Sequence, residues 1–160
     1  MTYLELLTKE EILITQWCSH QPNIKLRELT DRYCPYDFTM NYNTSIGLCE
    51  AKRRTVSYEL YKDEGILIEF EKMSKILSIA SEYKDDPKYK NYDFKPFYLT
   101  SFTDKTFLFQ LDDLSSTEIK IKLLPHYTAS DGRIEYIHKP ILYLNISDAK
   151  LITKTLDFLI

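Results

Sequence analysis

An aspartate, a glutamate and a lysine are spaced so that a short folded segment could bring them together: Asp37, then Glu50 and Lys52 in the run Ile46-Gly47-Leu48-Cys49-Glu50-Ala51-Lys52. In a strand, successive side chains alternate between faces, so Glu50 and Lys52 project from one side about 6 to 7 Å apart while Cys49 and Ala51 point the other way. Ile46 and Leu48 share the face of the two charges, which therefore emerge where a buried face runs out. Charges in such a place are tolerated when they are paired or bind metal. Two carboxylates with an ammonium beside them suit a divalent cation. Each residue also has a plainer reading: Asp37 near Pro35 can make a turn hydrogen bond, and Glu50 with Lys52 can be an exposed pair on an edge strand.

The elements that must position these groups can be read from capping and periodicity. Thr8-Lys9-Glu10-Glu11 fits a capping box and Gln21-Pro22 a stop, so a helix is expected from Thr2 or Thr8 to His20. Leu7, Glu11, Ile14 and Cys18 share one face of it and Leu6, Glu10, Leu13 and Trp17 the neighbouring one, so a glutamate interrupts an apolar stripe either way. Residues 25–40 read as extended, broken at Cys34-Pro35, and Asn41-Tyr42-Asn43-Thr44 supplies a turn before a strand over 46–53. Asp37 would then lie on the strand preceding that turn. A brief strand at Ile66-Leu67-Ile68 leads into an amphipathic helix over 70–83, with Met73, Ile76, Leu77 and Ala80 at helical spacing. Extended segments follow at 96–102, 106–111 and 119–124, and a turn at Ser130-Asp131-Gly132-Arg133 opens a long strand up to Asn145. Ser147-Asp148-Ala149-Lys150 reads as the cap of a last helix through Phe158. The order predicts an α/β (or α+β) fold in which a helix follows the strand carrying Glu50 and Lys52.

Composition removes several classes. A chain of 160 residues is most simply one domain, 1–160, and 44% hydrophobic with 28% charged residues is neither disordered nor fibrous. No apolar run approaches the roughly 20 residues of a membrane span, and the N-terminus shows no secretory pattern, so a cytoplasmic protein is expected. Cys18, Cys34 and Cys49 are odd in number without C-x-x-C spacing, against a disulfide framework or a thiolate zinc site. A formal net charge of -3 excludes a strongly basic binder. Locally, residues 1–51 hold four Lys/Arg against seven Asp/Glu, and Lys52-Arg53-Arg54 follow as a compact basic cluster. Gly47, Gly65 and Gly132 are too far apart for a phosphate-cradling loop, which disfavours nucleotide hydrolysis. No G-x-S-x-G supports a serine hydrolase. His126 and His138 lack a carboxylate or cysteine at ligand spacing and read as surface or packing residues. Of the thirteen tyrosines, Tyr36, Tyr42 and Tyr58 flank the charged cluster as candidate stacking platforms.

Pro35-Tyr36-Asp37 and Glu50-Ala51-Lys52, with a glutamate-bearing helix before them and a helix after, resemble the signature of the PD-(D/E)XK nuclease superfamily. The proline stands one position early, with Tyr36 intervening. The resemblance covers roughly residues 1–110. It implies a restriction-endonuclease-like mixed central sheet flanked by helices, and a Mg²⁺-dependent DNA endonuclease, resolvase-like or phage-type, in which Mn²⁺ can substitute. On that implication Asp37, Glu50 and the main-chain carbonyl of Ala51 bind the metal, and Lys52 orients or deprotonates the attacking water. Glu11, or alternatively Glu10 or Glu5, completes the shell. Arg53 and Arg54 would meet DNA phosphates, with Tyr58 beside them. The alternative is a catalytically silent module on the same fold that binds nucleic acid or a partner protein. The resemblance assigns nothing beyond residue 110. There a hairpin-plus-helix extension is expected, with a dimer edge, hence a homodimer, or a substrate-selecting hairpin as its readings.

Overall fold

The computed structural model describes residues 8–31, 33–116, 118–128 and 133–155 of the chain. Its elements are α1 (Lys9–Ser19), β1 (Ile24–Leu29), β2 (Phe38–Tyr42), β3 (Ser45–Arg53), α2 (Tyr58–Tyr61), β4 (Ile66–Glu69), α3 (Phe70–Asp85), β5 (Phe94–Ser101), β6 (Lys105–Gln110), β7 (Ile119–Thr128), β8 (Ile134–Leu144) and β9 (Ala149–Lys154). The fold is mixed α/β. Six strands form one sheet in the order β1-β2-β3-β5-β6-β9, and β4-β8-β7 form a second. Strands β3 and β5 run parallel, whereas each of the other described neighbouring pairs is antiparallel. No helix among the described residues is long and apolar enough to cross a membrane.

Alternation along β3 sets the layers. Cys49 and Ala51 face α1, joining Ile14, Trp17 and Cys18 in one core, while Ile46 and Leu48 face α3 and meet Ile76 and Ala80. A third core of Tyr98, Phe102, Phe107 and Phe109 fills the space beneath β4 and β8, where Ile68 and Leu142 close it. Thr8 Oγ1 accepts from the Glu11 N–H at 3.1 Å and starts α1 as the capping box requires. Between β2 and β3 the turn needs a left-handed residue, and Asn43 supplies it at φ 52°.

Two expectations for the chain after residue 110 part ways. Strands β7 and β8 form the hairpin, with the loop residues 129–132 outside the described set. The helix expected from Ser147 is instead β9: Asn145 Oδ1 accepts from the Ser147 N–H, so the capping chemistry is used within a single 3₁₀ turn at Ile146–Asp148. Lys150, Ile152 and Lys154 then alternate outward against Leu151 and Thr153, a two-residue period that pairs with β6 and leaves no helical face. Phe158, Glu5 and the start from Thr2 lie outside the described residues. The four-residue α2, capped by Ser57 Oγ, falls in a polar stretch with no predicted element.

Candidate functional site

The site is built where the β2–β3 ladder ends. Pairing begins at Phe38 opposite Cys49, and Asp37, one residue earlier, turns its side chain back onto β3. Its Oδ2 accepts the Ala51 N–H at 2.7 Å and its own N–H donates to the Cys49 carbonyl at 2.8 Å. Asp37 is thereby fixed against the strand end that carries Glu50. This end also belongs to the parallel β3–β5 pair, and carboxyl ends of parallel strands are where α/β sheets commonly open a ligand crevice.

Glu50 is 8% exposed, and its carboxyl lies within hydrogen-bonding reach of that of Asp37. Burial, then the Asp37 charge, push the Glu50 pKa up to about 7 from 4.5, although Lys72 pulls it back. Lys72, from the first turn of α3, places Nζ 3.1 Å from Glu50 Oε1. Burial lowers the Lys72 ammonium, but the Glu50 carboxylate leaves it net raised. The pair thus holds the lysine charged more firmly than the glutamate. Half of the Lys72 side chain reaches solvent, against 10% of Glu50, so burial costs the carboxylate more.

A third carboxylate comes from α1, and it is Glu10. Its Oε2 lies 3.4 Å from the Arg53 N–H, and burial followed by the Asp37 charge raise its pKa while Lys52 and Lys72 lower it. Glu11, the expected member, sits in the capping box instead, its N–H on Thr8. Lys52 is exposed and lines a cleft of about 240 Å³ with Glu50, Lys72, Glu69, Tyr98 and Arg54. The hairpin forms its far wall through Leu124 and Pro125. Lys139 of β8 stands behind Glu69, Nζ to Oε1 at 3.2 Å.

The residues predicted to meet nucleic acid are separated. Arg53 is exposed on the opposite face of β3 from Lys52. Arg54 folds inward: its Nη2 reaches the Leu67 carbonyl and the Tyr98 hydroxyl, each at 3.4 Å, and its Nε is buried without a hydrogen-bond partner. It braces β3 against β4 from beneath the cleft. Tyr58 stands edge-on to Phe102 and Phe107, its N–H on Asp104, so it is part of the third core and not of the cleft. Tyr42 similarly meets Phe97 edge-on. His138 is exposed on β8, and the His126 side chain lies outside the described residues. Cys18 and Cys49 are buried thiols with raised pKa values, Cys18 to about 12, which keeps them protonated and poorly reactive.

Among the described residues, no group of three or more His, Cys, Asp or Glu side chains is arranged to hold a metal ion by itself. The oxygen donors able to share one are the carboxylates of Asp37 and Glu50, with Glu10 behind them. Mg²⁺ typically takes one or two carboxylates and fills its remaining positions with water and substrate oxygens, a demand this donor set fits. Two carboxyls forced together, one with its pKa lifted towards neutrality, are what a cation between them would relieve. The chain has no significant match among protein-family models, curated proteins or solved structures.

Proposed function

We propose that this protein is a metal-dependent phosphodiesterase acting on DNA, an endonuclease of the PD-(D/E)XK type with its site at Asp37, Glu50 and Lys52. The observation that carries the reading is the crowding of the Asp37 and Glu50 carboxyls at the end of β3, beside a cleft lined by Lys52 and Lys72. A folded protein gains nothing in stability from a buried glutamate with a pKa near 7, so a functional demand is the natural explanation. A bound Mg²⁺ would supply a water of lowered pKa and a positive charge for the developing phosphoryl oxyanion.

The chain's own residues supply the rest. Asp37, locked by the Ala51 N–H, and Glu50 would hold the cation, with the Ala51 carbonyl as the third protein oxygen. Lys52, on the face of Glu50, would orient the attacking water and offset charge on the phosphate. Lys72, released from Glu50 once a cation takes its place, would be free to face the phosphate backbone. Glu10 would hold Lys52 towards the site. The β7–β8 hairpin, with Leu124 and Pro125 at the cleft, would limit how deeply a strand enters.

A second reading has its own support: Glu50 already has an ion-pair partner and Asp37 a backbone one, as in a catalytically silent nucleic-acid or protein-binding module. Single-turnover incubation of linear and branched DNA with and without Mg²⁺ separates the two. Cleavage that needs Mg²⁺ and is lost in Asp37→Asn supports the enzyme. Binding without cleavage by wild type supports the module.

A further inference from the structure

The face of β3 that carries Glu50 and Lys52 also carries Ile46 and Leu48, and these two line a second open cleft of about 230 Å³ beside the last turn of α3. Its walls are aromatic: Tyr36 from the segment before β2, Tyr83 from the end of α3, Tyr89 and Tyr92 from the following turn, and Phe94 opening β5. The rings are fixed by one another. Tyr83 and Tyr89 lie 5.0 and 5.5 Å from Phe94, Tyr92 stands 6.1 Å from it, and the Tyr36 hydroxyl lies near that of Tyr83. Tyr92 is nonetheless 53% exposed, so part of this aromatic surface is open to solvent.

The polar groups of this cleft are of the kind that accompanies a base. The register shift between Leu26 and Glu28 in the β1–β2 pairing leaves Arg27 as an extra residue, and both Arg27 and Glu28 line the cleft. Bulges re-aim side chains in this way. Lys88 Nζ sits 5.2 Å above the Tyr89 ring, within the basic-aromatic run Lys88-Tyr89-Lys90-Asn91-Tyr92. A cation in the lining, Arg27, and another beside Tyr89, Lys88, with tilted and edge-on aromatic rings between them match single-stranded nucleic acid, whose phosphates need charge and whose bases need flat apolar faces. Glu28 adds an acceptor for an exocyclic amino group.

Position ties this cleft to the proposed catalytic residues. Tyr36 and Asp37 are adjacent in the chain, and four residues of β3 from Ile46 to Glu50 span about 13 Å, no more than about four nucleotides even at the stacked rise of ~3.4 Å. We infer that the aromatic cleft is a nucleobase pocket that takes an unpaired base of single-stranded or locally melted DNA a few nucleotides from the bond presented to Lys52. This inference rests on the phosphodiesterase reading for its second half and gives that site a substrate class. A paired base cannot offer its face to the rings, so the pocket selects unpaired DNA.

The test uses a single-stranded DNA oligonucleotide carrying one 2-aminopurine, bound in EDTA so that no cut occurs, beside its duplex and a strand abasic at that position. Wild type should quench the fluorophore and bind the single strand in preference to both controls. Tyr92→Ala removes an exposed ring, so the fold should persist, and single-strand affinity should fall roughly 5- to 100-fold. Its salt dependence should be unchanged, since no phosphate contact is lost, and Tyr92→Phe should restore binding. Equal affinity of wild type for the base-bearing and abasic strands overturns the pocket, as does wild-type affinity in Tyr92→Ala. Mg²⁺-dependent cleavage with either result overturns the pocket alone. Base-dependent, Tyr92-dependent quenching without any cleavage upholds the pocket and overturns the phosphodiesterase reading.

Discussion

Glu50→Gln should make the metal-free protein more stable, and only above acidic pH. Glutamine keeps the shape of the side chain and removes the charge that burial and Asp37 oppose. The Glu50 carboxyl has a higher proton affinity folded than unfolded, so the folded state holds the extra proton between pH 4.5 and about 7 and wild-type stability falls as pH rises through that window. A change from 4.5 to about 7 amounts to about 3 kcal/mol at ~1.36 kcal/mol per tenfold change in proton affinity. Lys72 loses its partner in the variant but is half exposed and can hydrate, so the ion pair offsets little. For a chain of this size ~1 kcal/mol is worth about 2 to 4 °C. Thermal melts in EDTA should therefore be nearly coincident at pH 4.5 and separate by about 6 to 12 °C at pH 8, with the variant higher. Glu10 is present in both proteins, and its own raised pKa cancels from the difference. A variant that melts below wild type at pH 8, or a gap that does not change with pH, would show that the Glu50 charge is not opposed by its surroundings.

Lys52→Met retains most of the aliphatic stem, so it should leave melting unchanged and slow single-turnover cleavage by about 10² to 10⁴ with little change in DNA affinity; equal cleavage by variant and wild type sinks the role given to this ammonium. Arg53 and Arg54 should behave differently although they are adjacent. Arg53→Gln should flatten the slope of log Kobs against log salt by roughly one, as expected for one lost phosphate contact, whereas Arg54→Gln should lower stability by about 1 to 3 kcal/mol, because Tyr98 and the Leu67 carbonyl lose the guanidinium and keep only the hydrogen bond between them. Matching effects from the two substitutions in salt titrations and urea melts would contradict that division. Gly47→Ala places a Cβ 2.9 Å from Phe97 Cδ2 and 3.1 Å from Met40 Cγ, inside the strand that carries the site. Overpacking there should cost about 1 to 3 kcal/mol in a urea melt, and an unchanged midpoint would show that the two side chains yield freely.

Much of the positioning was legible in the residues because it depends on local periodicity. Strict alternation over Ile46, Leu48, Glu50 and Lys52 determines which face each side chain joins, and the Asn43 turn brings Asp37 back beside that strand. Other parts depend on contacts far apart in sequence. Lys72 reaches Glu50 only because α3 begins over the end of β3, a placement set by packing between layers. Both glutamates of α1 interrupt apolar rows, so helical phase alone cannot choose between them; the capping bond of Glu11 and the proximity of Glu10 to Arg53 make the choice in three dimensions. The basic cluster looked uniform as a string of letters, yet Arg54 turns inward to Tyr98 while Arg53 stays outside. The last helix was misread because Asn145 and Ser147 have the chemistry of a helix start, while the two-residue alternation after them carries the strand signal.

Whether Asp37 and Glu50 share one divalent cation, as proposed, is tested directly by calorimetric titration with Mn²⁺ and Mg²⁺ at pH 7.5. Wild type should show a single site, accompanied by partial proton release because Glu50 must ionise fully to bind, and that site should be lost in both Asp37→Asn and Glu50→Gln. No binding in wild type, or binding that either variant retains at full affinity, would contradict it.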